Sequence, residues 1–155
     1  MERIYFLKKK NVPALFLLDV IACVSPIGIF LGRIANFING ELIGKVTKVS
    51  WSVIFPAIDN LPRHPSQLYE AVLEGAILFL ILNSIIFKQR YIMGTCSCLF
   101  LIYYGIFRII SEFFRQPDIQ IGYLFNLISM GTLLSVFMII AGLIILNILR
   151  KKNEY

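Results

Sequence analysis

The sequence predicts an all-α, polytopic integral membrane helical bundle of about four transmembrane helices, with a polar loop region on its outer side. Three observations predict it. Of the 155 residues, 58% are hydrophobic, against roughly 45–50% in an ordinary water-soluble domain. The mean hydropathy is +0.79. Four apolar stretches of nearly spanning length, at about residues 12–31, 66–87, 93–114 and 124–149, take up more than half of the chain. Residues 1–155 are read as a single membrane domain.

The first stretch, Val12 to Leu31, is twenty residues long and would rise about 30 Å as a helix. It carries Asp19 and Pro26, so it should face other helices and not bare lipid. Arg3 and Lys8 to Lys10 ahead of it imitate a signal peptide, but the run continues past Cys23 and Asp19 interrupts it, which favours a retained span. After Gly32 the chain becomes polar and glycine-rich, then enters a loop with Trp51, Pro56, Asp59 and Pro62. The second span opens at Pro65 or Ser66, by a first-turn proline or a serine cap. It ends before Lys88, Gln89 and Arg90, and the fourth stops at Arg150, Lys151 and Lys152.

Charge sets the expected orientation. With four spans, the N-terminal segment, the Lys88/Arg90 turn and the C-terminal tail share one side and hold nine of the fifteen Lys and Arg. The positive-inside rule makes that side cytoplasmic. This puts both termini inside and the motif side outside. The net charge of +6 then speaks for lipid headgroups and orientation before nucleic acid. No basic run with interleaved aromatics suggests a nucleic-acid face, and no nucleic-acid partner is expected. Cys23, Cys96 and Cys98 are odd in number and lie in apolar stretches, so they are read as packing residues. They lack a four-ligand zinc pattern. No metal and no cofactor are expected.

The remaining charges need a different reason. Arg108 lies about 9 Å below the end of a third span that closes at Phe114, at 1.5 Å per residue. An arginine at that depth must pair, snorkel or line a wet cavity. Tyr104, Arg108 and Glu112 follow i, i+4, i+8 spacing, one helical stripe. Arg108 and Glu112 could simply neutralise each other, or the guanidinium could grip a phospholipid phosphate through two parallel hydrogen bonds. The stretch GRIANFINGELIG, Gly32 to Gly44, sets Arg33, Asn36, Asn39 and Glu41 within nine residues. It reads as a functional block or as a polar helix end capped by Asn39. In RHPSQLYE, Gln67 and Glu70, with Glu74 beyond, share one face entering the bilayer. That face must meet cations or water, and Arg33 and Arg108 are the available partners. His64 stands beside Arg63 and Pro65. It suits a loop or capping position, or a proton-transfer role resting on its near-neutral reference pKa.

Taken in order, GRIANFINGELIG, RHPSQLYEAVLEG, YGIFRIISEFFRQPD and LISMG resemble the blocks of the bacterial phosphatidylglycerol–prolipoprotein diacylglyceryl transferase family. The first block fits the family's diagnostic pattern at every specified position, and the likeness runs from about Tyr5 onward. The resemblance implies a transferase that moves the diacylglyceryl group of phosphatidylglycerol onto the lipobox cysteine thiol of a prolipoprotein, with phosphatidylglycerol, prolipoprotein and membrane lipids as partners. By the same resemblance Arg33 is the lipid-binding arginine, with Asn36, Glu41 and Gly44 in its block, and Arg108 with Tyr104 is the second essential pair. Arg108, Tyr104, Glu41 and His64 are the candidate catalytic residues. Arg33, Asn36, Asn39, Gly44, Gln67, Glu70 and Glu112 are the candidate substrate-binding residues.

The chain also departs from the family it resembles. Its members are nearly twice as long, with about seven spans and an upstream His-Gly-Gly block. The sequence is therefore expected to be a C-terminal portion, active with a separately encoded N-terminal half, or else an inactive remnant or a phospholipid-binding membrane protein without chemistry. Thr132 stands where the family commonly has Gln.

Overall fold

A computed structural model describes residues 13–88, 91–116, 123–124 and 128–153. Four helices in it are long and apolar enough to cross a membrane: α1 (Ala14–Asn39), α2 (Ser66–Ile86), α3 (Thr95–Glu112) and α4 (Met130–Asn153). The chain is a helical, multi-pass membrane protein. Between α1 and α2 lies a short antiparallel pair, β1 (Val53–Ile54) with β2 (Pro62–Arg63). A second pair, β3 (Tyr123–Leu124) with β4 (Ile128–Ser129), precedes α4.

Two helix bounds differ from the reading of the sequence. The first helix does not end near Leu31 but continues to Asn39, where Gly40 closes it in the left-handed conformation at φ 69°. Arg33 and Asn36 can stay helical because they face protein and a groove, not lipid. The fourth helix starts at Met130, six residues after the predicted Leu124, which instead lies in β3. Ser129 sets that start: its Oγ accepts the Thr132 N–H at 3.1 Å and meets the Thr132 hydroxyl at 3.0 Å. This is an N-cap with its third helical residue joined to it, the place a Gln takes in a capping box.

Several polar groups inside the spans are tied to neighbouring backbone, as a medium without water favours. Asn83 on α2 donates to the Cys23 carbonyl on α1 at 3.2 Å and to Phe79 at 2.9 Å;. Ser25 returns its hydroxyl to Ile21 at 2.7 Å, and Ser135 to Gly131 at 2.7 Å. Asp19, fully buried on α1, accepts from the backbone of Gly94 (2.6 Å) and of Ser97 (2.8 Å) and from the Ser97 hydroxyl (2.8 Å). A carboxylate from one helix thereby caps the N-terminus of another, where free N–H groups and the helix dipole both favour negative charge. Cys23, Leu78, Leu82 and Cys96 form one buried apolar cluster, and Cys98, Ile102 and Leu146 another.

Glycines fix the closest approaches. A Cβ on Gly105 would come within 2.8 Å of the Ser135 carbonyl, and one on Gly142 within 2.9 Å of the Cys98 carbonyl, so α3 and α4 meet backbone to backbone. At Gly75 a Cβ would lie 2.6 Å from the Phe30 Cβ and 2.9 Å from its Cα. That contact brings α1 against α2 one turn from Arg33. In the same part of α2, Ala71–Ile77 winds as a π-helix, a widened turn that recurs at functional sites.

Candidate functional site

The first three turns of α2 carry two of the site's carboxylates, Glu70 and Glu74. Ser66, Gln67, Glu70 and Glu74 have no exposed surface. Buried carboxylates demand cations or donors, and α1 and α3 supply them. Arg33 on α1 places Nη1 3.1 Å from Glu70 Oε2 and Nη2 3.0 Å from Glu74 Oε2. Arg108 on α3 reaches Glu70 Oε1 at 2.5 Å, Glu74 Oε1 at 3.7 Å and Glu112 Oε2 at 3.3 Å. Arg115, just past α3, lies 3.6 Å from Glu70 Oε1. Glu70 is thus shared by three guanidiniums from different segments. The i, i+4 pairing of Arg108 with Glu112 holds, and Arg108 also reaches beyond it.

Counted as ions, three guanidiniums face three carboxylates, a balance that lets the group stay charged at low dielectric. The hydrogen bonding is less complete than the charge pairing. Glu70 Oε2, Glu74 Oε1 and Glu112 Oε2 are buried without a well-directed donor, although Arg33 or Arg108 nitrogens lie 3.1–3.7 Å away. Beside the cluster opens a groove of about 240 Å³ lined by Ile29, Gly32, Arg33, Asn36 and Tyr104. A Cβ at Gly32 would touch nothing within 4 Å. Tyr104 is held by stacking on Phe100, with ring centroids 5.6 Å apart.

The structure brings Arg33, Asn36, Gln67, Glu70, Tyr104, Arg108 and Glu112 to this end of the bundle, with different duties. Gln67 donates to the Glu41 carbonyl at 2.6 Å, tying the connection after α1 to the start of α2. Ser66 donates to the Leu42 carbonyl in the same way at 3.3 Å. Gly44 is a packing position: a Cβ there would lie 2.2 Å from the His64 carbonyl oxygen. Asn39 is exposed at the end of α1. The Glu41 carboxylate is exposed and makes no ion pair among the described residues, so the structure does not set it on a guanidinium. His64 is turned to other partners. Its Nδ1 lies 3.2 Å from the Tyr69 hydroxyl, and its ring packs edge-on against Tyr69 and Phe114.

Sequence reasoning left two features out. Arg115 was visible as a charge near the site, but nothing in its spacing showed that it would reach Glu70, whereas Glu74 meets Arg33 and Arg108, the partners its face on α2 was expected to need. A separate centre surrounds buried Arg63, which pairs with Asp59 at 2.5 Å, donates to the Gly44 carbonyl at 3.0 Å and donates to Gln116. The Arg63 guanidinium, together with the Leu61 N–H, holds the Asp59 carboxyl below its ordinary pKa of 3.8. The i, i+4 spacing of these two residues was the available signal, hidden because the segment is not helical.

Comparison with known proteins identifies the family. The family model for prolipoprotein diacylglyceryl transferase matches residues 1–148. A protein of Wolbachia sp. subsp. Brugia malayi (strain TRS), named phosphatidylglycerol–prolipoprotein diacylglyceryl transferase, is 50% identical over 141 residues, 89% of this chain and 54% of the relative. One of the same name from Rickettsia akari (strain Hartford) is 55% identical over 139 residues, 88% of this chain and 54% of the relative. One from Ehrlichia canis (strain Jake) is 50% identical over 154 residues, 97% and 59% respectively. The chain spans about half the length of the curated relatives it matches. With the matched family model covering nearly every residue, the chain belongs to the prolipoprotein diacylglyceryl transferase family.

Proposed function

We propose that the chain carries the lipid-gripping part of a phosphatidylglycerol–prolipoprotein diacylglyceryl transferase. The observation that carries this reading is the meeting of Arg33 and Arg108, from two helices, on the single carboxylate of Glu70. The first of them lines an open groove with Asn36 and Tyr104. A guanidinium has five N–H donors, so a phosphodiester entering the groove can take donors that Glu70 and Glu74 do not fill. The under-bonded carboxylate oxygens mark a network that can rearrange around an added anion.

In the proposed reaction the lipobox thiolate attacks the glyceryl carbon next to the phosphate. The thiol first gives its proton to water; the C–S bond then forms as the C–O bond breaks, and glycerol phosphate leaves as a dianion with one more negative charge than the phosphodiester it came from. Arg33 and Arg108 hold that growing charge in a water-poor site, where fixed cations are worth far more than in water. Glu70 and Glu112 orient the guanidiniums, while Tyr104 and Asn36 offer polar atoms to the headgroup. Glu41, Gly44 and His64 belong, on their contacts, to the frame that holds the connection against α2, while Asn39 stands exposed at the end of α1.

The proposed setting is a bacterial inner membrane, with the cluster on the outer side and the termini of this chain in the cytoplasm. Nine of fifteen basic residues on the other side support this. The proposed activity belongs to the chain in the company of a segment supplying the rest of the relatives' length. The test is lipid transfer from phosphatidylglycerol to a lipobox peptide by membranes containing the chain with and without the corresponding segment of the Rickettsia akari relative. Transfer should appear with both present and fall at least a hundredfold in Arg33→Ala, a loss of about 3 kcal/mol of transition-state stabilisation. No transfer with both present, or unchanged turnover in the variant, would sink the reading.

A further inference from the structure

We propose that the connection between α1 and α2, residues 45–62, lies on the bilayer surface and inserts its apolar side chains among the lipids. Its anchors fix its level. The Lys45 N–H and Nζ donate to the carbonyls of Phe114 and Phe113, both at 2.9 Å, where α3 ends. Val46 bridges Arg63 just before α2 begins. The connection therefore sits where spans leave the hydrocarbon.

Its side chains are arranged inside out relative to a loop in water. The charged tether is turned inward: Arg63 is 6% exposed and bonded to Asp59, Gln116 and the Gly44 carbonyl. Phe55 turns inward too, its ring edge-on to Phe37 at 5.8 Å. Five large apolar residues point outward instead. Val46, Trp51, Ile54, Ile58 and Leu61 are each between 48% and 61% exposed. In water such a set on a short segment would be an aggregation hazard or an interface.

Lipid is the occupant because the patch continues the surface that lipid already covers. Phe113, 69% exposed at the end of α3, stands at the same level. Trp51 has the orientation of an interfacial anchor. Its Nε1 donates to the Tyr69 hydroxyl at 2.7 Å, so its polar edge is satisfied by α2 while its ring stays free. Lys48, exposed in the same segment, can reach phosphates while its stem lies on apolar surface. Through Tyr69 the inserted ring is joined to the turn of α2 that carries Glu70.

Trp51 is the chain's one tryptophan, so its fluorescence reads this segment without any substitution and independently of lipid transfer. The full chain would be placed in phosphatidylglycerol/phosphatidylcholine vesicles, with a share of the lipids brominated either near the headgroup end or near the methyl end of the acyl chain. The expected result is blue-shifted emission, strongest quenching by the shallow bromine, and aqueous acrylamide quenching several-fold weaker than in the denatured chain. The double variant Ile54→Asp/Ile58→Asp should lose most of the shallow quenching. Water-like emission with strong acrylamide quenching would overturn the proposal. So would emission shielded from both quenchers, which would mean that protein and not lipid covers the segment.

Discussion

Two places in this bundle bury carboxylates completely, and they solve the problem in opposite ways. Asp19 receives three directed hydrogen bonds from the first turn of α3, at 2.6–2.8 Å. All its partners are backbone or hydroxyl groups with no other task. Glu70 and Glu74 are neutralised by guanidiniums shared among several carboxylates, and an oxygen of each stays without a directed donor. The first arrangement is closed and specifies how α1 meets α3. The second is balanced in charge but loose in hydrogen bonding, and it borders a groove. A buried charge whose partners are replaceable is what an anion-exchanging site needs, whereas a fully bonded one serves the fold.

The comparison breaks or sharpens under substitution. Glu70→Ala removes the carboxylate that Arg33, Arg108 and Arg115 share and leaves buried cations uncompensated. It should cost about 3–5 kcal/mol of stability in detergent, with binding of phosphatidylglycerol lost as well. Asp19→Ala should cost about 2–3 kcal/mol, since donors to a charged acceptor are stranded. Phosphatidylglycerol binding should stay within twofold. Equal damage to binding by both variants, measured by lipid titration of the purified chain, would erase the distinction between a fold device and a site.

Gly75→Ala asks whether the site depends on helix approach. The added methyl would collide with the Phe30 backbone and should cost about 1–3 kcal/mol. It would also move Arg33 away from Glu74, so weakened lipid binding should accompany it. The smallest expected effect concerns Asp59 in the connection between α1 and α2. Its folded pKa lies below the ordinary 3.8, so its contribution is present above that value and fades as pH falls through the lower folded value. Trp51 fluorescence should therefore hold steady from neutral pH to about 4 and change only in stronger acid. Asp59→Asn should remove that acid transition.

Legibility from sequence followed the range of the interaction. The capping serine of α4 acts within three residues, but the alternation of apolar runs pulled the predicted start back to Leu124, inside β3. The Tyr104, Arg108, Glu112 stripe was readable because helical periodicity alone sets it. So was the need of Asp19 and of the Glu70 face for partners, because burial of charge has one remedy. The identity of the Asp19 partners, more than seventy residues away, left no trace in spacing. His64 drew attention as the only imidazole, yet its contacts with Tyr69 and Phe114 come from how the connection folds back on α2.

The sequence by itself determined that this chain crosses a membrane, where its apolar lengths lie, and that its intramembrane arginines and carboxylates must neutralise one another in a medium that tolerates no lone charge. Tertiary structure decided which oxygen each guanidinium meets across the helices, and that Arg115 joins them. The contact of α1 with α2 at Gly75 and the widened turn of Ala71–Ile77 aim Glu70 and Glu74 at Arg33, while α3 delivers Arg108 from the other flank. Periodicity fixes a side chain's face on its own helix, but the partner of that face depends on where another helix's backbone comes to rest.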